Sequence, residues 1–372
     1  MEISAPSDRF TREREEPDVT TSSQLWQEHG QIGHKHSLRR PRLIVRNRLT
    51  AALRSWFEAR EFIEVETAQL QLSPGNEAHL HALATQLIGM DGLAHLFYLH
   101  TSPEFACKKL IAAGETRLFT LARCFRNREA SRLHAPEFTM LEWYRTHQSY
   151  ETLMEDCVAL LALAANTAGV DTLSFAGKTC DAFAAPERLT VAQAMSRYAG
   201  IDLMATISPD GNATDRNALT AQAGTAGIHI TPDDSWSDIF SKLLSEKVEP
   251  HLGMGRATIL MEYPAPEAAL ARRTAHDPRL SERFELYACG VELANAFGEL
   301  TDPVEQRLRF TLEMDEKQRI YGERYPLDEE LLACLPLMPP TSGIALGFDR
   351  LVMLVTGAST IGDVLWTVPP KL

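Results

Sequence analysis

The segment from Thr101 to Arg145 constrains the fold of this chain more than any other part of it. The run TSPEFACKKL predicts a helix over 104–113, because a Thr-Ser pair can cap it and a proline in the first turn gives up no hydrogen bond. Residues 118–126 and 138–145 have the composition of strands, and the polar loop between them predicts an antiparallel hairpin. The segment therefore supplies a carboxylate at a helix start and an arginine, Arg126, at a strand end.

The composition excludes several classes of protein. Of the 372 residues, 44% are hydrophobic, which is enough for one large core. Apolar runs are far shorter than the ~20 residues of a membrane helix, and the charged N-terminus lacks the apolar stretch of a secretory signal. We therefore expect a cytoplasmic protein that does not bind membranes. The net charge of −13 argues against a broadly basic nucleic-acid surface, and six scattered cysteines without a CxxC pair predict reduced thiols.

The order of the predicted elements indicates one main domain. Residues 1–40 are polar and are predicted to form a disordered arm, whereas 41–372 form the domain. Its first elements are a helix over 43–60 and a strand over 62–66. Further helices are predicted over 150–168, 236–248 and 303–321, strands over 257–263 and twice within 283–301, and a strand, turn and helix over 342–356. The pattern weakens between about 171 and 265, which we interpret as an insertion.

Two C-terminal segments carry further candidate residues. In RFELYACGVELANAFGELTD, the side chains of Asn295, Phe297 and Glu299 share one strand face, although by period alone this is typical of an ordinary exposed strand. The run GIALGFDRLVMLVTG places Arg350 on a strand-to-helix turn flanked by glycines. Gly343 and Gly347 would let the backbone approach a ligand closely.

These segments together resemble the second and third signature motifs of the class II aminoacyl-tRNA synthetases, most closely the lysine-specific branch. The stretch EFIEVET resembles their first motif, although Ala68 replaces a proline there; in that family this motif forms the dimer interface. The resemblance implies an α+β fold, with an antiparallel sheet flanked by helices, in a catalytic core that forms a homodimer. ATP and Mg²⁺ are the implied co-substrate and metal.

The resemblance also implies roles for individual residues. Arg126 and Arg350 are the expected catalytic residues, and both contact ATP. The other ATP-binding residues expected are Asn127, Arg128, His134, Phe138, Glu292, Leu293 and Gly347. Glu285 and Glu292 are the expected Mg²⁺ ligands, since Mg²⁺ prefers oxygen donors. The amino acid is expected to contact Ser102, Pro103, Glu104, Tyr144, Asn295, Phe297, Glu299 and Ala345, with Glu104 on its backbone amine and Glu299 on its distal ammonium.

The segment ahead of the first motif is too short and too polar for the anticodon-binding barrel of a lysyl-tRNA synthetase. This organisation, and Ala345 in SGIALG, resemble the elongation factor P–lysine ligase family. The implied reaction is activation of lysine or (R)-β-lysine with ATP, followed by transfer to a lysine of elongation factor P, without stable tRNA binding.

Three departures from the family pattern leave alternatives open. Arg128 replaces a glutamate that reads adenine, with Glu129 next to it; Ala135 replaces an asparagine, and Ala296 replaces a glycine. A minimal lysyl-tRNA synthetase or another amide-forming synthetase would use the same core with a different acceptor. A non-catalytic regulatory paralogue would bind an amino acid without activating it. The residues alone decide neither the acceptor nor the choice between α-lysine and β-lysine.

Overall fold

The computed structural model describes residues 22–369. By its internal contacts the chain divides into two units, one up to Pro41 and one from Arg42 onward. The second unit contains all of the strands and all but the first part of the first helix. In chain order, the helices are α1 (Ser22–Glu58), α2 (Glu104–Ala112), α3 (Tyr150–Ala168), α4 (Val191–Ala199), α5 (Arg216–Thr225), α6 (Trp236–Leu243), α7 (Pro303–Tyr321), α8 (Glu329–Cys334) and α9 (Phe348–Thr356).

Helix α1 begins earlier than predicted. It starts at Ser22 instead of near Leu43 and includes Pro41. The predicted start was placed just past this proline, because proline is favoured in a first turn and removes one hydrogen bond from a helix interior. The predicted disordered arm is therefore helical over residues 22–40, and its first 21 residues lie outside the described part of the chain.

The strands form one large sheet and two small ones. They are β1 (Ile63–Glu64), β2 (Leu70–Gln71), β3 (Leu83–Ile88), β4 (Ala94–Leu99), β5 (Arg117–Phe125), β6 (Glu137–Thr146), β7 (Thr172–Phe175), β8 (Lys178–Asp181), β9 (Glu187–Thr190), β10 (Gly255–Arg256), β11 (Thr258–Met261), β12 (Arg283–Ala288), β13 (Val291–Gly298) and β14 (Thr341–Gly347). The large sheet has the order β1-β5-β6-β14-β13-β12-β11-β9 and is antiparallel except at its two edge pairs. The α+β prediction is confirmed.

Alternation along the central strands gives the large sheet two different faces. Leu141, Trp143, Ile344 and Leu346 belong to the main core, and helices α3 and α9 pack on the strands that carry them. The residues that alternate with these on each strand point to the opposite face of the sheet, because successive side chains of a strand lie on opposite faces. That face therefore remains free to form a site.

Ala296, one of the departures from the family pattern, lies on the core side of this sheet. It is fully buried and packs in the main hydrophobic cluster. Its methyl group therefore fills the core instead of facing the opposite side, where a ligand would bind. The departure has no direct contact with the candidate site.

The predicted insertion has a core of its own. Helices α4, α5 and α6 enclose a hydrophobic cluster that includes Leu219, Trp236 and Phe240. Helix α6 ends at Leu243 and continues as a π-helical turn over Leu244–Val248, so the predicted helix over 236–248 is divided. Within residues 22–369, no helix is both long and apolar enough to cross a lipid bilayer. All six cysteines are free, and five are buried.

Candidate active site

The free face of the large sheet carries a row of polar and small side chains. Ala345 on β14 lies in register with Glu142 on β6 and with Asn295 on β13. A cavity of about 250 Å³ opens over this row. It extends from the start of α2 to the start of α9, because Ser102, Glu104, Gly347 and Arg350 also line it.

Helix α2 begins at the edge of this cavity. The N-cap residue is Pro103 and not the predicted Thr101 or Ser102, although the Ser102 hydroxyl accepts a hydrogen bond from the Glu104 backbone N–H at 3.1 Å. The same hydroxyl donates to the Glu142 carboxylate at 2.5 Å. Ser102 therefore connects the helix start to the centre of the sheet.

A buried lysine holds two of the predicted substrate-binding carboxylates. The Lys108 ammonium lies 2.6 Å from Oε1 of Glu104, one helical turn earlier, and 2.7 Å from Oε2 of Glu299. Lys108 and Glu299 are each 1% exposed. Burial lowers the pKa of Lys108, but the charges of Glu104 and Glu299 more than offset it, so the pKa is raised. Burial raises the pKa of Glu299 to about 7 despite the neighbouring ammonium.

Glu142 is a further carboxylate below the cavity. It is fully buried and accepts hydrogen bonds from Ser102 and from the Tyr144 hydroxyl, the latter at 2.8 Å. Burial, followed by the charge of Glu104, raises its pKa to about 8. Three carboxylates and one ammonium thus occupy the region where α2 meets the sheet, and this region favours a cationic ligand group.

Gly343 makes this arrangement possible. A Cβ atom at Gly343 would lie 2.3 Å from Oε1 of Glu299 and 2.3 Å from Cε1 of Tyr144. The glycine therefore leaves room for two side chains of the site, in contrast to the predicted close approach of a ligand to its backbone. At Gly347 a Cβ atom would meet nothing nearer than Arg350, at 3.4 Å.

Two arginines define the other end of the cavity. The Arg126 Nε donates to the Thr101 carbonyl at 3.3 Å, and its guanidinium lies 5.2 Å from the centre of the Phe138 ring. Arg350 donates to the Glu292 carbonyl at 2.8 Å, and its Nη2 lies 2.7 Å from Nε2 of His134. Burial and the charge of Arg350 lower the pKa of His134, so the neutral ring accepts this hydrogen bond.

A buried ion pair fixes the start of α9. Asp349 pairs with Arg46 of α1, and its Oδ2 accepts the Thr139 backbone N–H at 2.6 Å. Arg46 also donates to the Thr139 hydroxyl at 2.8 Å. These contacts hold the turn before Arg350 against β6, which fixes the spacing between the two ends of the cavity.

Acidic side chains surround the hairpin of β12 and β13, and that of Glu285 is buried. Glu285 accepts from Arg283 at 2.7 Å and from the Tyr287 hydroxyl at 2.6 Å. Burial and the charge of Glu285 raise the pKa of Glu292. Burial and the charges of Glu285 and Glu292 raise the pKa of Glu249 to about 7. No group of three or more His, Cys, Asp or Glu side chains within residues 22–369 has the arrangement of a metal site.

Comparison with known proteins places this geometry in a family. Residues 25–367 match the class II tRNA synthetases (D, K and N). The chain belongs to this family. A protein of Proteus mirabilis named elongation factor P–(R)-beta-lysine ligase is 37% identical over 329 residues, which cover 87% of this chain and 93% of that protein. A protein of the same name from Sodalis glossinidius is 38% identical over 327 residues, with the same coverage of both chains.

Lysine–tRNA ligases are also similar to this class II synthetase. That of Pelotomaculum thermopropionicum is 34% identical over 328 residues. The match covers 86% of this chain and 62% of that longer protein. The similarity to both kinds of relative confirms the lysine-specific resemblance read from the motifs.

The structure brings most of the predicted site residues of this class II synthetase to one cavity. Those that line it are Ser102, Glu104, Arg126, His134, Phe138, Glu292, Leu293, Asn295, Phe297, Ala345, Gly347 and Arg350. Tyr144 and Glu299 lie beneath the lining, in contact with Glu142 and Lys108. Pro103, Asn127 and Glu285 are outside the lining as well.

Arg128 does not face the cavity. It pairs with Glu323, and its guanidinium lies 5.6 Å from the centre of the Tyr321 ring. Its positive φ of 66° turns the side chain away from the hairpin, and Glu129 lines the cavity in its place. The prediction that Arg128 contacts ATP therefore has no support in the geometry.

Several residues of the site were missed in the sequence. Lys108 follows Glu104 by four residues, which is the spacing of a helical ion pair, so the signal was present. Glu142 alternates with Met140 and Tyr144 on one strand face, a second available signal. Glu77 and Asp349 also line the cavity, but nothing local in the sequence distinguishes them from surface acids.

Proposed function

We propose that this protein activates lysine or (R)-β-lysine with ATP and transfers it to a lysine side chain of elongation factor P. One observation carries the proposal: the two ends of the cavity have opposite charge. Arg126 and Arg350 lie at one end, and Glu104 and Glu299 lie at the other, next to the buried Glu142. A nucleotide triphosphate suits the first end, and an amino acid with a distal ammonium suits the second.

ATP binds at the arginine end in this proposal. Phe138 and the Arg350 guanidinium enclose the adenine, because an aromatic ring and a planar cation both stack on a base. His134, Leu293, Asn127 and Gly347 supply further contacts, and Glu129 takes the place predicted for Arg128. The Arg126 guanidinium donates to the α-phosphate.

Mg²⁺ fits the carboxylates Glu285 and Glu292. Their mutual repulsion, expressed in the raised pKa of Glu292, is relieved by a hard cation that oxygen ligands bind well. When bound, the ion neutralises charge on the phosphates. Arg283 donates to one oxygen of Glu285 and Tyr287 to the other, which fixes the orientation of this carboxylate.

The amino acid occupies the acidic end. Its amine pairs with Glu104, its distal ammonium with Glu299, and its aliphatic stem lies along Phe297 and Tyr144. Lys108 lies between Glu104 and Glu299 and contacts one oxygen of each, so the second oxygen of each is left for the ligand in this proposal. Ala345 forms the floor between Asn295 and Glu142, and Ser102 and Pro103 bound the amine.

The reaction has two steps. The substrate carboxylate attacks the α-phosphorus in line and displaces pyrophosphate, while Arg126 stabilises the charge that develops there. The acceptor amine then attacks the carbonyl of the aminoacyl-adenylate, and AMP leaves. The side chains of the site bind and orient both partners, and no residue forms a covalent intermediate.

The test is incubation with ATP, a labelled lysine isomer, and either elongation factor P or total tRNA. We expect label on elongation factor P. Label on tRNA instead would favour the function of the lysine–tRNA ligases that the chain also resembles. Binding of lysine without exchange of pyrophosphate into ATP would indicate a regulatory paralogue.

We also propose a homodimer. The strand β1 of the first motif is exposed at Ile63, which is 53% accessible. Leu72, Leu87 and Leu96, on or beside the small sheet β2-β4-β3, are 65%, 45% and 56% accessible. Apolar side chains exposed in this number are typical of a partner contact. Light scattering at low and high protein concentration tests the oligomeric state.

A further inference from the structure

A second cavity adjoins the candidate active site. Its volume is about 450 Å³, and α6, α7 and the segment 266–270 form its walls. Glu77, Leu80, Asn295 and Phe297 line both this cavity and the first. The two spaces therefore meet at these four residues.

The lining of the second cavity is acidic. Glu267, Glu313 and Glu316 face it in addition to Glu77. Burial raises the pKa of Glu267 to about 7 and also raises the pKa of Glu313. One carboxylate oxygen of Glu267 is buried and has no hydrogen-bond partner among the described residues. Glu316 is already paired with Arg319, so the unpaired oxygen of Glu267 is the group that a cationic ligand entering from outside would satisfy.

The basic groups at this cavity are already occupied. Arg283 donates to Glu285 at 2.7 Å and to Asn295 at 3.3 Å. His79 lies with Nδ1 3.0 Å from the Tyr321 hydroxyl. Neither residue therefore offers a free cation that would repel an ammonium group.

The segment that carries Glu77 is fastened to helix α7. The Ala78 backbone N–H donates to Glu313 at 2.8 Å. The Lys317 ammonium donates to the carbonyls of Ala78 and Leu80, at 2.9 and 2.6 Å. These bonds hold the backbone on the C-terminal side of Glu77 against α7.

Glu77 lies between groups of the two cavities. No described side chain forms a hydrogen bond or an ion pair with its carboxylate, but four charged groups act on it. Burial and the charge of Glu104 raise its pKa, the charge of Glu313 adds to this, and Arg126 and Arg283 oppose it, giving a value of about 7. Glu104 and Arg126 belong to the place where the adenylate forms, and Glu313 and Arg283 belong to the second cavity.

We propose that the second cavity admits the acceptor lysine side chain and that Glu77 accepts the proton that its amine loses on attacking the adenylate. This inference rests on the proposed function and names the path and the base for its second step. A slender chain with a terminal ammonium fits an acidic passage of this size. A carboxylate where the passage meets the first cavity is placed to contact the attacking nitrogen.

The chemistry of the step balances without another reactant. The acceptor arrives as an ammonium and releases one proton to solvent in the passage. Its amine then forms a C–N bond to the adenylate carbonyl carbon, and the bond from that carbon to the phosphate oxygen breaks. AMP leaves with the electron pair of that bond, and the second proton of the nitrogen passes to the Glu77 carboxylate.

The path is tested by filling it. Leu312 on α7 lines the second cavity and is 59% exposed; Leu308, one turn earlier on the same helix, is equally exposed and does not line it. We expect Leu312→Trp to reduce transfer of labelled lysine to elongation factor P at least tenfold relative to pyrophosphate exchange. Hydroxylamine, which is small enough to bypass the block, should still release the adenylate as hydroxamate. Leu308→Trp should behave as the wild type does.

The base is tested in a single turnover with preformed adenylate. Glu77→Gln should slow transfer to elongation factor P about 100-fold, while pyrophosphate exchange falls no more than about threefold. The wild-type transfer rate should rise with pH through about 7, and the variant should lose that inflection. Glu77→Asp should restore part of the rate, and Glu246→Gln, at an exposed site in the insertion, should change nothing.

The outcomes separate this inference from the function on which it rests. Failure of the wild-type protein to modify elongation factor P overturns both. Wild-type transfer that Leu312→Trp leaves intact overturns the path. An equal loss of exchange and transfer in Glu77→Gln assigns Glu77 to amino-acid activation and overturns its role as the base.

Discussion

The Lys108 ammonium lies 2.7 Å from a carboxylate oxygen of Glu299, and both side chains are almost completely buried. The pair joins helix α2 to the residue that follows strand β13, and Glu104 also contacts the Lys108 ammonium. A buried charge that loses its partner is far more costly than an exposed one. The stability of this protein and the shape of its acidic pocket therefore depend on the same three residues.

Lys108→Met should leave Glu104 and Glu299 buried without a counter-charge. We expect the free energy of unfolding to fall by about 3–5 kcal/mol at pH 8. Urea denaturation measures this, and adding Glu299→Gln to the variant should recover part of the loss. The neighbouring Lys109, which pairs with Asp328 and Glu330 nearer the surface, provides the matched control. If Lys109→Met cost as much as Lys108→Met, the special role of the buried triad would be refuted.

Stability should fall as pH rises through the range of Glu142. Burial and the charge of Glu104 hold its folded pKa at about 8, whereas an unfolded glutamate ionises near ~4.3. Between these two pKa values the folded state keeps a proton on Glu142 that the unfolded state has lost. The stability that this proton contributes is complete at low pH and disappears as the pH rises towards 8. The slope for this one group is about 1.4 kcal/mol per pH unit. In urea denaturation from pH 5.5 to 8.5, Glu142→Gln should flatten the dependence, and Glu246→Gln should leave it unchanged.

Gly343→Ala should damage the site more than the size of one methyl group suggests. The added Cβ would collide with Glu299 and Tyr144, both buried and both hydrogen-bonded or ion-paired. We expect pyrophosphate exchange with lysine to fall at least tenfold and the protein to lose about 1–3 kcal/mol of stability. Gly224→Ala, in helix α5 of the insertion, where an added Cβ would meet no atom within 4 Å, is the control. Equal tolerance of both variants would contradict the packing described for Gly343.

Ala345→Gly should change the choice between lysine isomers. Ala345 lines the cavity between Glu142 and Asn295, where the proposed binding mode puts the reacting end of the substrate. Removal of the methyl group should move the preference towards α-lysine. One methyl group in a pocket typically changes the ratio of the kcat/KM values for two substrates by roughly ten- to two-hundred-fold. Measurement of kcat/KM for both isomers in wild type and variant decides it. An unchanged ratio would mean that Ala345 only packs.

The local elements of the fold were largely predictable. Helices α3 and α7 were predicted to the residue, since Ser149 and Asp302 cap their starts and glycines follow their ends. The small sheet of β2, β3 and β4 was not predicted, because Leu83–Ile88 is mostly exposed and shows no clear alternation of apolar and polar residues. The loop between β3 and β4 does contain Asp91-Gly92, a hairpin turn signal that was overlooked in the sequence.

The candidate site was predictable where a motif spells out consecutive residues. Arg126, Phe138 and Arg350 were found in this way, and all three line the cavity. Ion pairs between distant segments were not predicted, because the local sequence of one segment carries no information about its partner. Arg46 with Asp349 and Lys108 with Glu299 are the two examples. The orientation of Arg128 was not predicted, because a positive φ at this residue directs its side chain towards Glu323 and away from the cavity; its contact with ATP stays a prediction.

The most direct test of the account is transfer of label from (R)-β-lysine or lysine to elongation factor P in the presence of ATP and Mg²⁺. Wild-type protein should label elongation factor P and leave total tRNA unlabelled. Arg126→Ala should abolish both this transfer and pyrophosphate exchange, because the α-phosphate loses its donor at a cost of ~3 kcal/mol or more. Label on tRNA, or undiminished exchange in Arg126→Ala, would contradict the account.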